Sequence, residues 1–483
     1  MQEPPAPGPF VGRGRELAAL NEVLGARGAQ FVLVYGRRRV GKTTLLLQWA
    51  EQAARPYVYW VATRDTPAQV RLGLTRALWR WAHPSSAAIP RFDTWTDLFE
   101  AAAQLLGDRP VTLIMDEFSY AAESDPALPS NLQAAWDHVF KKKNITLVLA
   151  GSHLGMMKDL LTHQSPLYGR FTAQLPVDPL PFSALSDFLP RYGTAERVAV
   201  YAVVGGIPAY LERFDDRRSL GANMQQLFMR RTGMFRSEPF MLIGDVIRRE
   251  TTTYESILKA IAEGHHAPQE IAGQLELSSP YLSPYLKQLA ALHLVERRLP
   301  ATVPPERRAK SREGRYHVCD AYLRFYFRFI APNLTLVEHE QTELLWERIA
   351  EQLRAFVGVT AFEEISRDWV RAMGKRRRLP MVPEIVGSHW SRDEQLDVVA
   401  MNWRDRTMLV GECKWGLDRV GRNVVTDLLE KAPRVRPDEG FRTSCAVFAR
   451  SGFTEAAQAE AKAHDVLLLD AETMERDLRE SDR

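Results

Sequence analysis

FVLVY (31–35) runs directly into Gly36-Arg37-Arg38-Arg39-Val40-Gly41-Lys42-Thr43-Thr44, and that loop opens onto LLLQWA (45–50). The continuous apolar run before the loop fits a strand buried on both faces, and the run after it fits a helix. Between them the spacing G-x-x-x-x-G-K-[ST] places glycines where the backbone must curl, so that its N–H groups converge on a phosphate. The start of the helix adds positive potential at the same point. Lys42 is expected to bridge the β- and γ-phosphates of ATP and Thr43 to ligate Mg²⁺, with Val40, Gly41 and Thr44 completing the cradle. Arg37, Arg38 and Arg39 place further positive charge beside it.

Short apolar runs alternating with helical stretches continue through YVYWVA (57–62), VTLIMDE (111–117) and ITLVLAGS (145–152), which predicts an α/β domain with a largely parallel sheet. Asp116 sits at the tip of such a strand, where its carboxylate can reach the Mg²⁺ through water. Glu117, the next residue, is placed to polarise an attacking water. Ser152 falls at the C-terminal end of the third run, the end that faces ligand in an open α/β sheet. It either senses the γ-phosphate or caps the helix that follows.

At 483 residues the chain is too long for a single core and predicts roughly two to four domains. Its 45% hydrophobic and 25% charged residues are those of a soluble globular protein, excluding disordered, collagen-like and disulfide-scaffold classes. Lys plus Arg number 63 against 60 Asp plus Glu, so the net charge of +3 argues against a protein coated in positive charge. Cys319, Cys413 and Cys445 form no CxxC pair, which argues against zinc sites and disulfides and fits a reducing cytoplasm. The N-terminus, MQEPPAPGPF, lacks the basic-then-apolar pattern of a signal peptide, and no apolar run approaches a membrane span. Residues 1–9 read as a proline-rich tail.

With these residues in view, the chain resembles the archaeal-type P-loop ATPases of the AAA+ and signalling-ATPase lineage. Phe10 to Leu17, FVGRGREL, looks like the F-x-G-R-x-x-E-L segment that packs on the adenine in that family and in replication-origin initiators. The resemblance implies Val11, Gly12 and Arg13 at the nucleotide. Leu167-Tyr168-Gly169-Arg170 resembles the family's L-Y-G-R motif, Gly205 to Leu211 its G-G-x-P-x-Y-L lid segment, and Tyr316 to Asn333 its domain junction. By that analogy Arg170 is an arginine finger for a neighbour's γ-phosphate, a role that needs a homo-oligomer. The alternative is a structural or surface arginine.

Residues 254–292 read as three helices separated by turns, with apolar faces at Ile257, Leu258 and Ile261, at Ile271 and Leu275, and at Leu282, Leu286 and Leu289. Ser278-Ser279 before Pro280 starts the third helix. HLVERRL and GRYHV then form a β-wing, so a winged helix is expected. Residues 296–315 carry seven Lys or Arg and three Glu, a local +4 suited to DNA phosphates. The third helix offers only Lys287 as a cation, and such domains also serve as protein-contact modules.

LDVVAMNW (396–403) and TMLVGECKW (407–415) are strand-like runs joined at Arg404-Asp405-Arg406. A hairpin whose two-residue loop is Arg404-Asp405 puts Asp397 directly opposite Glu412, and Lys414 on the face of Glu412. This D…E-x-K arrangement resembles the PD-(D/E)XK nuclease fold, and Gly358 to Glu363, GVTAFE, resembles that superfamily's first helix. The resemblance implies that Asp397 and Glu412 hold Mg²⁺ or Mn²⁺, that Lys414 positions water or neutralises charge, and that Glu363 completes the outer metal shell. Arg376, Arg377 and Arg378 are then placed to track a DNA backbone. Such a domain cuts DNA, or is retained as a binding module.

The expected architecture is therefore α/β: a P-loop NTPase domain of AAA+ type (1–182), a helical lid (183–249), a winged-helix domain (250–335) and a C-terminal α/β restriction-endonuclease-like domain (336–483). The expected function is ATP hydrolysis that gates a metal-dependent DNA endonuclease. The alternative is a nucleotide-dependent switch that binds DNA or a protein without cleavage.

Overall fold

The computed structural model describes residues 10–482 apart from 87, 245, 246, 248 and 249, so the proline-rich tail lies outside the described residues. They divide into two compact units. The first runs to Leu180 and includes Ile207–Ala209; the second comprises Pro181–Gly206 and Tyr210 onward.

The first unit is built on five strands: β1 (Gln30–Tyr35), β2 (Tyr57–Val61), β3 (Val111–Asp116), β4 (Ile145–Gly151) and β5 (Ala173–Pro176). Their order is β2-β3-β4-β1-β5, and every pairing is parallel. Residues of β1 alternate between two cores. Phe31 and Leu33 join Leu74, Leu98, Phe99, Leu132 and Trp136 on one face. Val32 and Val34 point the other way and are also buried, as are Leu45, Leu46 and Trp49 of the helix after the loop. Burial on both faces is why β1, β3 and β4 read as nearly unbroken apolar runs. Because β4 separates β1 from β3, the loop after β1 and the carboxylate ending β3 flank one cleft at the C-terminal edge of the sheet.

The second unit contains the predicted trio of helices, Thr251–Ala262, Pro268–Gln274 and Ser279–Ala291, and an antiparallel ribbon of β6 (Val295–Arg298) and β7 (Arg315–Val318). Ile257, Leu258, Ile261, Ile271, Leu282, Leu286 and Leu289 are buried as their spacing requires, whereas Leu275 is half-buried and Ala272 fills the inner position. Ser278 caps the third helix by accepting from the Tyr281 amide at 3.4 Å.

The segment joining β6 to β7 departs from expectation. It does not project as a wing. Ala301 is wholly buried in the C-terminal core, and its amide donates to the Ser388 carbonyl at 2.8 Å. Thr302 bonds His389 at 2.7 Å, and the Trp390 indole donates to the Glu313 carbonyl at 3.1 Å. Arg298 pairs with Glu296 and, at 3.3 Å, with Glu364. Charge counted in sequence as free for phosphate is here partly consumed by protein carboxylates.

The predicted lid also has no body of its own. Its helix Thr194–Val204 is apolar almost all round, with Val198, Val200, Ala202, Val203 and Val204 buried. Arg197 forms a buried ion pair of 2.6 Å with Glu475 on the final helix, Ala471–Asp482. A helix buried on every side needs partners all round, and it finds them within the second unit.

The C-terminal sheet holds β8 (Ile385–Trp390), β9 (Gln395–Asn402), β10 (Thr407–Lys414), β11 (Arg442–Ala449) and β12 (Val466–Asp470) in the order β12-β11-β10-β9-β8. The first three are antiparallel neighbours, and β10, β11 and β12 are parallel. The β9–β10 register is the predicted one, running from Asn402 opposite Thr407 to Val398 opposite Gly411. The turn, however, spans four residues, 403–406, in place of the expected two. Asn402 Oδ1 accepts the Asp405 amide at 2.7 Å and so closes the longer turn without changing register. Helices Arg422–Lys431 and Glu455–Ala463 cover one face through Val425, Leu428, Ala457 and Ala461. Helix Glu363–Lys375 covers the other, with Trp369 packed 6.0 Å from the Phe448 ring.

Candidate functional site

In the first unit the loop after β1 curls through two residues of positive φ, Arg39 (65°) and Gly41 (93°). Gly36 is required for a different reason: a Cβ there would lie 2.2 Å from the Val177 carbonyl oxygen. Lys42 opens the helix Lys42–Gln52 and is buried, with Nζ donating to the carbonyls of Gly36 at 2.9 Å and Arg37 at 3.1 Å. Burial pushes its pKa down, against the charges of Glu117 and Asp116. Thr43, Thr44, Arg37, Arg38 and Arg39 are half-buried around the loop, and Arg38 donates to the Tyr120 hydroxyl at 2.7 Å. Arg13, 5% exposed, donates to the Val40 carbonyl at 2.7 Å and pairs with Glu16 at 2.7 Å, bracing the loop from behind. Gly12 before it takes a positive φ of 70°, and Val11 is half-buried.

Asp116, only 1% exposed, collects three donors. Thr43 Oγ1 donates to Oδ2 at 2.6 Å, the Tyr59 hydroxyl donates to the same oxygen at 3.0 Å, and the Glu117 amide donates to Oδ1 at 2.9 Å. Burial and the Asp116 charge raise the Tyr59 pKa far above the usual phenol range, which keeps the hydroxyl a donor. Tyr59 escaped sequence reasoning because an aromatic in YVYWVA reads as core. Glu117 is held by Ser152, whose hydroxyl donates to Oε1 at 2.5 Å and whose amide donates to Oε2 at 3.3 Å. The helix after Ser152 is capped by His153 instead, which accepts from the Met156 amide at 3.1 Å. That removes the capping role for Ser152.

Arg170 is not presented as a free finger. Its Nη2 pairs with Asp137 at 2.8 Å, Nε donates to the same carboxylate, and Nη1 donates to the Pro166 and Tyr168 carbonyls at 2.9 and 3.1 Å. These bonds tie it to its own chain.

In the second unit the predicted quartet comes together, with differences. Lys414 donates to Glu412 Oε1 at 3.0 Å. Lys431, at the end of helix Arg422–Lys431 and with no motif to mark it in the sequence, reaches the same oxygen at 3.6 Å. Glu412 Oε2 is buried and has no hydrogen-bond partner. Asp397 Oδ2 accepts the Cys413 amide at 2.9 Å, and burial followed by the Glu412 charge raises its pKa. Glu363 leans on Arg367 at 3.3 Å, while the same guanidinium donates to the Asp397 carbonyl at 2.9 Å. Burial, then the Asp397 charge, pushes Glu363 up to about 8 against the pull of Arg367. Among the described residues no three His, Cys, Asp or Glu side chains gather closely enough to hold a metal ion. A cation here would rest on the Asp397–Glu412 pair, and the bare Oε2 fits that use. Arg376 and Arg378 are engaged by the final helix, through the carbonyl and carboxylate of Glu480.

Comparison with known proteins accords with the first unit. Residues 10–214 match the family described as an ATPase domain predominantly from Archaea, and residues 326–424 match one described as archaeal and bacterial proteins of unknown function. The uncharacterized protein MJECL04 of Methanocaldococcus jannaschii is 32% identical over 433 residues, covering 89% of this chain and 93% of that one. Among solved structures, the Walker-type ATPase paby2304 of Pyrococcus abyssi is similar with a TM-score of 0.50 at 20% identity. It covers 66% of this chain and 96% of its own, a likeness of fold. No described helix is long and apolar enough to cross a membrane.

Proposed function

Since the chain belongs to one family with the Methanocaldococcus jannaschii protein MJECL04 and carries the ATPase domain found predominantly in Archaea, we propose that it is an ATP hydrolase whose nucleotide cycle governs a DNA-directed second unit. In that second unit Glu363, Asp397, Glu412 and Lys414 form a metal-dependent endonuclease site.

The observation that carries the nucleotide half is the convergence of Lys42, Thr43 and Asp116 on the cleft beside a helix N-terminus. Lys42 leaves the loop carbonyls for the β- and γ-phosphates, and the loop amides bind phosphate oxygens. Thr43 and Asp116 would hold Mg²⁺, which when bound supplies charge neutralisation at the transferred phosphoryl group. Glu117 orients the attacking water once Ser152 gives up the carboxylate it now holds. Arg170 can act on a neighbour's nucleotide in a homo-oligomer only by leaving Asp137.

For the DNA half, support comes from the paired carboxylates Asp397 and Glu412, the orphaned Glu412 Oε2, and two ammonium groups beside them. Asp397 and Glu412 would hold Mg²⁺ or Mn²⁺, which supplies an acidified water and charge neutralisation. Lys414 and Lys431 face the phosphate. The three helices and the ribbon are read as a winged helix whose basic loop braces the C-terminal sheet, leaving the third helix, with Tyr281 half exposed and Lys287 as its cation, to meet the partner. The test is cleavage of single-stranded, duplex and branched DNA with Mg²⁺ or Mn²⁺, with and without ATP. Asp397→Ala should abolish it, and equal cleavage by that variant overturns the nuclease assignment.

A second reading, a nucleotide-dependent switch that engages DNA or a protein without cutting, is favoured by the lack of a three-ligand group among the described residues. It predicts salt-dependent DNA retention with no nicking in the same assay.

A further inference from the structure

We propose that Tyr59 is a positioning residue of the nucleotide site, one whose hydroxyl decides how Asp116 meets the Mg²⁺ shell. This rests on the ATP-hydrolase reading above and adds to it a residue from a strand that carries neither the loop nor the acidic pair.

An ionised carboxylate offers about four acceptor positions. Two are on Oδ2, and both are occupied, by the Thr43 hydroxyl at 2.6 Å and the Tyr59 hydroxyl at 3.0 Å. On Oδ1 the Glu117 amide takes another at 2.9 Å. With Asp116 only 1% exposed, bulk water does not compete for what is left. One acceptor position therefore remains, on Oδ1, enough for one hydrogen bond from a cation-bound water. Mg²⁺ sheds water reluctantly, so an outer contact of this kind suits it. Thr43, by donating its O–H to Asp116, keeps its oxygen lone pairs free to face the cation.

The strand geometry explains why Tyr59 can do this. On β2, Tyr57 and Tyr59 share the half-buried face while Val58 and Trp60 point into the core. β2 runs parallel to β3 with Val61 beside Asp116 and Tyr59 beside Ile114, so the Tyr59 ring starts two residues back and lies along the sheet to reach the carboxylate. Phenylalanine would keep that packing and lose only the hydroxyl. Asp116 would then have a free lone pair on Oδ2 and one restraint fewer on its rotation, and both weaken a set outer contact. A hydrogen-bond partner of a direct metal ligand is worth at least about tenfold in metal affinity, and Tyr59, one shell further out, should be worth roughly two- to tenfold.

The experiment is equilibrium binding of a fluorescent ATP analogue to the full chain, titrated with Mg²⁺, for wild type, Tyr59→Phe, Asp116→Asn and the double variant. Tyr59→Phe should stay folded, melting a few degrees lower for the hydrogen bond lost to a buried carboxylate, and bind the metal-free analogue equally well. The Mg²⁺ concentration giving half of the metal-dependent gain should rise roughly two- to tenfold. On the Asp116→Asn background the same substitution should change nothing, because its effect passes through that carboxylate. A Tyr59→Phe titration that overlays wild type overturns the inference, as does a shift that persists with Asp116→Asn. Wild type binding the analogue with no response to Mg²⁺ instead overturns the nucleotide-site reading on which the inference stands.

Discussion

Glu363 should make the second unit less stable as pH rises, and a single amide substitution should remove its share of that trend. The carboxyl starts the helix Glu363–Lys375, is 18% exposed, and has its pKa pushed from 4.5 up to about 8 by burial and then by Asp397. A folded pKa above the unfolded one means that the folded state holds the proton more tightly. The stability from this group is therefore complete below the unfolded value of 4.5 and is lost as pH climbs through about 8. At about 1.4 kcal/mol per unit, the linkage integral from about pH 5 to about pH 8 is roughly 3.5 kcal/mol. Glu363→Gln keeps the shape and has no charge to bury. Urea unfolding followed by a probe in the second unit, in chelator-containing buffer, should show the variant gaining about 3.5 kcal/mol on wild type across that window. Parallel pH profiles for the two proteins would refute the argument, because they would mean that Glu363 is already ionised at the lower pH.

Two further substitutions probe the frame around the sites. Gly36→Ala places a methyl 2.2 Å from the Val177 carbonyl oxygen, where backbone must move, and should cost about 1–3 kcal/mol along with nucleotide affinity. Thermal melting at the wild-type temperature would contradict the steric account. Arg298→Ala leaves Glu364 with Arg324 at 3.9 Å as its remaining ion-pair partner, and since both side chains of the broken pair are partly exposed the loss should be about 1–2 kcal/mol. Chemical denaturation measures it, and adding Glu364→Gln to that variant should restore part of the loss; no recovery would argue that Arg298 acts through packing alone.

Much of this was legible from the chain. The phosphate loop announced itself because a buried strand, a glycine-spaced turn and a helix stand in one uninterrupted run. The β9–β10 register was legible because side chains alternate strictly along a strand, so it survived a turn two residues longer than expected. What was hidden involved partners distant in sequence. Residues 296–315 carry net positive charge, but nothing in the string says that Arg298 will meet Glu364 or that Ala301 will enter another layer's core. Arg170 sits in a suggestive motif, yet its bidentate acceptor is Asp137, thirty-three positions earlier. Tyr59 and Lys431 belong to residue types that occur everywhere on strands and helix ends, so only placement next to Asp116 and Glu412 gives them meaning.

The loop between β6 and β7 has a consequence beyond charge. β8 lies at one end of the C-terminal sheet, where an uncovered row of amides and carbonyls would be an invitation to pair with another chain. The amide of Ala301 takes the Ser388 carbonyl, the Thr302 hydroxyl bonds the His389 ring, and Arg315, the first residue of β7, lies 4.9 Å over the Trp390 ring. The basic loop and the start of β7 thus work as a selvedge along that edge.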